Sequence, residues 1–233
     1  MSQVLRMFLV LGAPGWEAAE GEDMDDPMYE FELRVAGSRV PDIWDRIRRY
    51  CGLPWSGGPA ETWAYRYYDV VETEHSTVGP LDVLTAAALH PGLSRTDLGY
   101  FHDNASRIDA WLSATPVDVP LRDAGEELIG HLEALTTWPA APSLSLMTKV
   151  LHRKRPQLVP LVDRHVLDCY RPLTGERSAA AAWPGLLRGL RDDLAGQNAM
   201  LLTKINVALE QELGRGLTHT RLLDIAVWMG SRG

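Results

Sequence analysis

A series of amphipathic segments, each bounded by proline or glycine, fills the chain from about residue 40 onward. The first is PDIWDRIRRYC, which begins with a proline and repeats Ile43, Ile47 and Tyr50 at the spacing of one helix face. Proline is tolerated in the first turn of a helix but not in its interior, and glycine is common just after a helix ends. Because this punctuation recurs at short intervals, the chain is predicted to fold as a succession of short helices.

Further segments share the pattern, and one of them, LVDRHVLDCY, is expected to end before Pro172. The others are GPLDVLTAAALHP, DNASRIDAWLSATP, VPLRDAGEELIGHLEALTTW, SLSLMTKVLHRKR, WPGLLRGLRDDLAG, NAMLLTKINVALEQELG and THTRLLDIAVWMG. A chain of 233 residues can bury a substantial core. We expect about eight to ten helices and at most about three strands.

The amino-terminal part has a different pattern. MYEFELRV (28–35) alternates apolar and charged residues with the period of a half-buried strand, and RMFLVL (6–11) is its predicted partner across an acidic loop. The expected fold is therefore mainly α, with a small N-terminal β-hairpin. The chain divides into a β and acidic segment over 1–40 and a helical domain over 41–233.

Charge is unevenly distributed along the chain, whose formal net charge is −8. This acidic balance disfavours a protein that coats nucleic acid by charge alone. Residues 145–175 nevertheless hold six basic and two acidic side chains, whereas residues 1–74 hold seven basic and fourteen acidic ones. A basic face on an acidic body is therefore one expectation.

Neither a metal nor an organic cofactor is expected. Cys51 and Cys169 are far apart, the histidines show no i, i+4 pair, and no glycine-rich nucleotide-binding motif is present. No apolar run approaches the roughly 18 residues that a membrane span needs. The start of the chain lacks a clear signal-peptide cleavage site, so a cytoplasmic location is expected, with no membrane partner.

The stretch TKVLHRKRPQLVPLVDRHVLDCY carries most of the candidate chemistry. Asp163 follows a proline-broken segment and precedes a helix, so it is placed to cap that helix, a contribution of about 1 kcal/mol. Val162 and Leu167 have the spacing of a hydrophobic staple around it. The alternative is catalytic, because an ionised carboxylate at a helix start can stabilise a developing cation or activate water.

Lys149 lies one helix earlier, on the same face as apolar residues that predict partial burial. Burial lowers the pKa of a lysine and makes its neutral amine a better nucleophile. The alternative is a solvated side chain. The other candidate residues are expected to bind an anion or to stack on a base, although Tyr68 is also suited to helix packing. They are Arg153, Lys154, Arg155, Arg164, His165 and Tyr68.

KVLHRKRPQLVPLVDRHV resembles the segment of helix-hairpin-helix DNA glycosylases in which a lysine-bearing helix leads into Val-Asp-x-His-Val. The resemblance implies that Asp163 is catalytic and that Lys149 is the nucleophile, as in bifunctional members. His165 falls at the histidine of the motif. The glycine-rich hairpin of that superfamily is replaced here by WPAAPSLSLMTK, which has no glycine whose backbone amide approaches a phosphate.

A second resemblance covers more of the chain, from about residue 65 to 230. The order YYDVVETEH, DVLTAAALHP, TKVLHRKRPQLVPLVD and RLLDIAVWMG is similar to a family of unknown function from high-GC bacteria, which implies a helical fold. Together the resemblances imply cleavage of an N-glycosidic bond in a nucleic acid or a nucleoside-like small molecule. Two alternatives stay open: a non-catalytic binding protein on a diverged glycosylase fold, and a small-molecule biosynthetic enzyme.

Overall fold

The computed structural model describes residues 32–57, 64–90 and 92–230. Within these ranges the fold is mainly α, with a single small β-hairpin, as the sequence predicts. The strands are β1 (Leu33–Val35) and β2 (Ser38–Val40). The helices are α1 (Ile43–Cys51), α2 (Tyr65–Tyr68), α3 (Pro80–Ala86), α4 (Arg95–Asp103), α5 (Ala105–Ala114), α6 (Glu126–Glu133), α7 (Leu144–His152), α8 (Arg164–Thr174), α9 (Ala179–Asp193), α10 (Gly196–Leu213) and α11 (His219–Gly230).

The hairpin is antiparallel and closes through Ala36 and Gly37, both of which have positive φ. Two positive φ angles in a two-residue loop give a turn whose twist matches that of the strands. The partner of β1 within the described residues is therefore β2, and the strand predicted over 6–11 lies outside them.

Helices α9 and α10 hold the hairpin against the helical core. Asn198 accepts a hydrogen bond from the Arg34 amide at 3.1 Å and donates one to the Arg34 carbonyl at 2.6 Å. Asp193 accepts the Ala36 amide at 2.7 Å. Because these bonds satisfy backbone groups and the side chains of Leu33 and Val35 are fully buried, the hairpin shares the core of the helices.

Several helices differ from the predicted segments, and α4, α8 and α9 are examples. The pattern missed α4, which begins with a capping box between Ser94 and Asp97. The prediction that α8 ends before Pro172 is wrong, because the helix continues to Thr174. Proline lies in its last turn, where only one intrahelical hydrogen bond is lost. Helix α9 begins at Ala179, earlier than the apolar pattern indicates.

Helix α7 is an interior helix, in which every residue from Leu146 to His152 is buried. A helix that is covered on all sides lies inside the protein rather than on its surface. Its polar members are satisfied internally: the Thr148 hydroxyl accepts the Val162 amide at 3.2 Å, and His152 Nδ1 lies 2.7 Å from the Val159 carbonyl oxygen. Burial lowers the pKa of His152 to about 4, so the ring is neutral.

The basic run that follows α7 also lies in the interior. Lys154 is 1% exposed, and its Nζ donates to Asp82 at 2.6 Å, to the Thr73 hydroxyl at 2.6 Å and to the Glu74 carbonyl at 2.7 Å. Burial raises the pKa of Asp82, but the hydrogen bonds from Lys154 and Thr73 outweigh it and hold the pKa below its ordinary value. Lys154 and Asp82 therefore form a buried ion pair.

The flanking arginines donate mainly to backbone carbonyls. Arg153 donates to the carbonyls of Tyr68, at 2.9 Å, and of Val71 and Glu72. Arg155 donates to the carbonyls of Thr115 and His75, each at 2.8 Å, and of Leu112. Both arginines are buried, so with Lys154 they form no exposed basic face. They fasten the loop between α2 and α3 to the end of α7.

We expect Lys154→Met to lower the free energy of unfolding by about 3 kcal/mol or more, because it leaves Asp82 buried without its closest cation. Denaturant unfolding followed by circular dichroism measures the loss. Lys204→Met, at an exposed position on α10, is the matched control and should change stability by less than about 1 kcal/mol, the usual limit for an exposed charge. Equal losses in the two variants would contradict the assignment of a buried ion pair.

Candidate functional site

A cleft of about 930 Å³ brings the two principal candidates together. Lys149 and Asp163 both line it, and so do Arg164 and His165. The remaining residues of its wall come from the four helices α1, α2, α7 and α11 and from the segments beside α2, α3 and α8. They are Tyr50, Ala64, Tyr67, Ala88, Leu89, His90, Ser145, Leu161, Arg221, Asp224 and Trp228.

Asp163 caps α8 and faces the cleft at the same time. Its backbone is extended, and its Oδ1 accepts the amides of His165 at 2.8 Å and Val166 at 3.0 Å. Both bonds use one oxygen, which leaves Oδ2 available to a ligand. The capping role and a chemical role are therefore compatible in one side chain.

Lys149 is 3% exposed and projects from α7 into the cleft wall. Its Nζ donates to the Ser145 hydroxyl at 2.6 Å and to the Ser145 carbonyl at 3.3 Å. Burial lowers the pKa of Lys149, the negative charges of Asp163 and Asp224 oppose that fall, and the positive charge of Arg221 adds to it. The expected buried lysine is thus present, with two carboxylates near enough to affect its charge.

Behind the cleft, one buried arginine serves two carboxylates. Arg221 donates through Nε to Asp69 Oδ1 at 2.7 Å and through Nη2 to Asp69 Oδ2 at 3.2 Å. The same guanidinium contacts Asp224 Oδ2 through Nη1 and the Tyr50 hydroxyl through Nη2. Tyr50 in turn donates to Asp69 Oδ2 at 2.6 Å. A single guanidinium therefore lies between two buried carboxyl groups.

Asp224 is the carboxylate of this pair that lines the cleft. Burial raises its pKa from the ordinary 3.8 to about 7; the charge of Arg221 opposes the rise and that of Asp163 adds to it. Sequence reasoning did not single this residue out. The available signal was an acidic residue three positions after Arg221 in an otherwise apolar helix, since i, i+3 side chains share a helix face.

Tyr68 does not line the cleft. It is fully buried, and its hydroxyl donates to the Lys149 carbonyl at 2.6 Å, so it packs beneath α7. The aromatic part of the wall consists instead of Tyr50, Tyr67 and Trp228. Tyr50 and Trp228 meet edge to face with ring centroids 6.0 Å apart, whereas Tyr67 is 62% exposed.

Two further cationic or titratable groups lie on the first turn of α8. Arg164 is exposed and His165 is half-buried, and both line the cleft beside Asp163. Across the cleft, burial lowers the pKa of His90, and the charge of Lys149 lowers it further. Arg153, Lys154 and Arg155, which were expected to share an anion-binding role with Arg164, do not line this cleft.

Within residues 32–57, 64–90 and 92–230, no group of three or more His, Cys, Asp or Glu side chains is arranged to hold a metal ion. In the same ranges no helix is both long enough and apolar enough to cross a bilayer.

Comparison with known proteins places the chain in a family but assigns it no activity. Residues 43–231 match the model described as "Family of unknown function (DUF6308)". The chain belongs to this family. Neither the curated proteins nor the solved structures contain a match to it. The expected membership in a family of unknown function is confirmed, and the finer resemblance to helix-hairpin-helix glycosylases stays a hypothesis.

The Asp224 pKa predicts a pH-dependent stability. Because the folded pKa is raised to about 7, the contribution of this group is complete below about pH 4 and is lost as pH rises through 7. We therefore expect the stability of the wild type relative to Asp224→Asn to fall between pH 4 and pH 7. Denaturant unfolding at several pH values measures both proteins.

Asp168→Asn, an exposed carboxylate on α8, is the control for that measurement and should show no comparable slope. A constant stability difference between the wild type and Asp224→Asn across the window would mean that Asp224 ionises normally in the folded protein.

Proposed function

We propose that this protein cleaves an N-glycosidic bond in a nucleoside-like small molecule, with Lys149 as nucleophile and Asp163 as the charge that stabilises the transition state. The observation that carries the proposal is that both side chains line one cleft although they come from different helices. An amine and a carboxylate in one enclosed space are the groups needed to attack an anomeric carbon.

Lys149 supplies the nucleophile because burial favours its neutral form. The 2.6 Å bond to the Ser145 hydroxyl orients Nζ at the cleft wall. The neutral amine attacks the anomeric carbon, the bond from that carbon to the base breaks, and the base leaves with a proton. One proton of the new ammonium then passes to the ring oxygen as the sugar ring opens, which leaves a Schiff base on Lys149.

Water completes the reaction by adding to the Schiff-base carbon. The resulting carbinolamine expels the lysine amine and releases the open sugar, so the net change is the consumption of one water molecule. Asp163 contributes through Oδ2, the oxygen that capping leaves available. Its negative charge opposes the positive charge that develops on the sugar as the base departs.

The wall of the cleft supports a single nucleoside-like substrate rather than a duplex. Trp228 and the exposed Tyr67 offer ring surface to a planar base, and base stacking on aromatic side chains contributes about 1–3 kcal/mol. Arg164 and His165 at the cleft are placed to contact hydroxyl or phosphate oxygens. The buried Arg153, Lys154 and Arg155 leave no cationic strip at that place for a nucleic-acid backbone.

The first test is reductive trapping. Wild-type protein incubated with a panel of purine and pyrimidine nucleosides and borohydride should gain the mass of a sugar adduct, because borohydride reduces the Schiff base to a stable amine. Lys149→Gln should gain no adduct, and Lys204→Gln, which alters an exposed lysine, should be trapped like the wild type. Trapping that persists in Lys149→Gln would exclude this lysine as the nucleophile.

The second test separates capping from chemistry at Asp163. Asparagine caps nearly as well as aspartate, so Asp163→Asn should lower the free energy of unfolding by about 1 kcal/mol or less. Loss of the negative charge should lower kcat for base release by about 10²–10³-fold. Asp168→Asn on the same helix is the matched control and should retain activity.

Full activity in Asp163→Asn would mean that Asp163 caps helix α8 and has no role in the reaction. If the wild type binds nucleosides in calorimetry but never releases a base, the chain is the non-catalytic binding protein. Absence of both binding and turnover would favour the alternative of another small-molecule enzyme.

A further inference from the structure

The two carboxyl groups that contact Arg221 behind the cleft, those of Asp69 and Asp224, accept different numbers of hydrogen bonds. Asp69 accepts two hydrogen bonds from Arg221 and one from Tyr50, so both of its oxygens are engaged. Asp224 receives only one contact from Arg221, through Oδ2. Asp69 is therefore the closer and more fully bonded partner of the Arg221 guanidinium.

The second carboxylate then lacks a full counter-charge. Arg221 comes from the same helix as Asp224, Lys149 faces it from α7, and Asp163 and Asp69 face it from the start of α8 and the end of α2. Tyr50 from α1, the exposed Arg164 and half-buried His165 from α8, and the half-buried His90 from the segment after α3 line the same cleft. Helix α10 and strand β2, which also pack on α11, contribute none of the residues that line it.

These charges favour a protonated Asp224. When Lys149 is in its neutral form, Arg221 is the buried cation in contact with Asp224, and it also pairs with Asp69. Asp163 adds a third carboxylate beside Asp224. Arg164 is exposed, so water screens its charge. Adding a third negative charge in a buried site is unfavourable, so a proton stays on the least engaged carboxyl. The raised pKa of Asp224 agrees with this arrangement.

We propose that Asp224 is the proton donor of the cleft, a catalytic residue that protonates the departing base. This inference rests on the proposed function and adds to it the group that Lys149 and Asp163 do not supply. Asp224 gives its proton to the base nitrogen as the bond to the anomeric carbon breaks. Its carboxylate then takes a proton from the water that adds to the Schiff base, which restores the starting state.

The test uses substrates whose leaving groups differ in their need for a proton. A purine or pyrimidine base leaves poorly as an anion, whereas 4-nitrophenolate leaves without protonation. Asp224→Asn should therefore lower kcat/KM on the nucleoside by about 10²–10⁴-fold, the range of general acid catalysis, and on 4-nitrophenyl riboside by less than about tenfold. Asp168→Asn should leave both rates unchanged. An equal loss on both substrates, or no loss on either, would overturn the proposal.

The pH profile of the wild-type protein tests the same idea without any substitution at Asp224. Nucleoside cleavage should fall above about pH 7, where Asp224 loses its proton, and 4-nitrophenyl riboside cleavage should show no such fall. Asp69→Asn removes the competing carboxylate and gives Arg221 to Asp224 alone, so the fall should move to lower pH. Identical profiles for the two substrates would overturn the proton-donor role.

Failure of the proposed function has a different signature. If the wild type cleaves neither substrate, the reaction is wrong, and the state of Asp224 is read from the protein itself. Carbon-13 NMR of labelled aspartate carboxyls, with Asp224→Asn to assign the signal, should then show a carboxyl that keeps its proton until near-neutral pH. Titration of that signal in the ordinary aspartate range would overturn the inference about Asp224 independently of any substrate.

Discussion

The buried guanidinium of Arg221 is the interaction on which the cleft depends. It joins α11 to Tyr50 of α1 and to Asp69 at the end of α2, three parts of the chain that share no local sequence. A charge so deeply buried is tolerated only with partners, and here two carboxylates and a phenol surround it. Without Arg221, both Asp69 and Asp224 would be left as uncompensated buried acids. The position of the cleft wall and the pairing of its buried acids therefore follow from one side chain.

Helix α7 connects that network to the rest of the fold. On one side it presents Lys149 to the cleft, and at its end Arg153 binds the Tyr68 carbonyl immediately before Asp69. The Tyr68 hydroxyl returns to the Lys149 carbonyl, which closes a loop of contacts between the helix and the segment that carries Asp69. The nucleophile proposed here and the buried anion are thus fixed relative to each other by backbone contacts.

The sequence predicted the helical fold, and it led to a pair of residues that do line one cleft. Both successes rest on local signals: apolar periodicity, proline and glycine punctuation, and the cap at Asp163. What it could not show is which charged residues are buried. Asp82, which pairs with Lys154, and Asp69, which pairs with Arg221, lie 72 and 152 residues away in the chain, so no spacing rule relates these pairs. The basic run over 153–155 consequently suggested an exposed basic face, whereas these three side chains are buried in the fold.

The burial of Arg153, Lys154 and Arg155 also determines which substitutions this chain tolerates. On a hydropathy scale these are among the most hydrophilic residues of the chain, yet in the folded protein they are as buried as core residues. Arg153 and Arg155 each donate hydrogen bonds to several carbonyls from one planar guanidinium. A lysine ammonium cannot reproduce that geometry. A saturation scan would therefore find these charged positions as intolerant as the leucines around them, even toward the exchange of one cation for another.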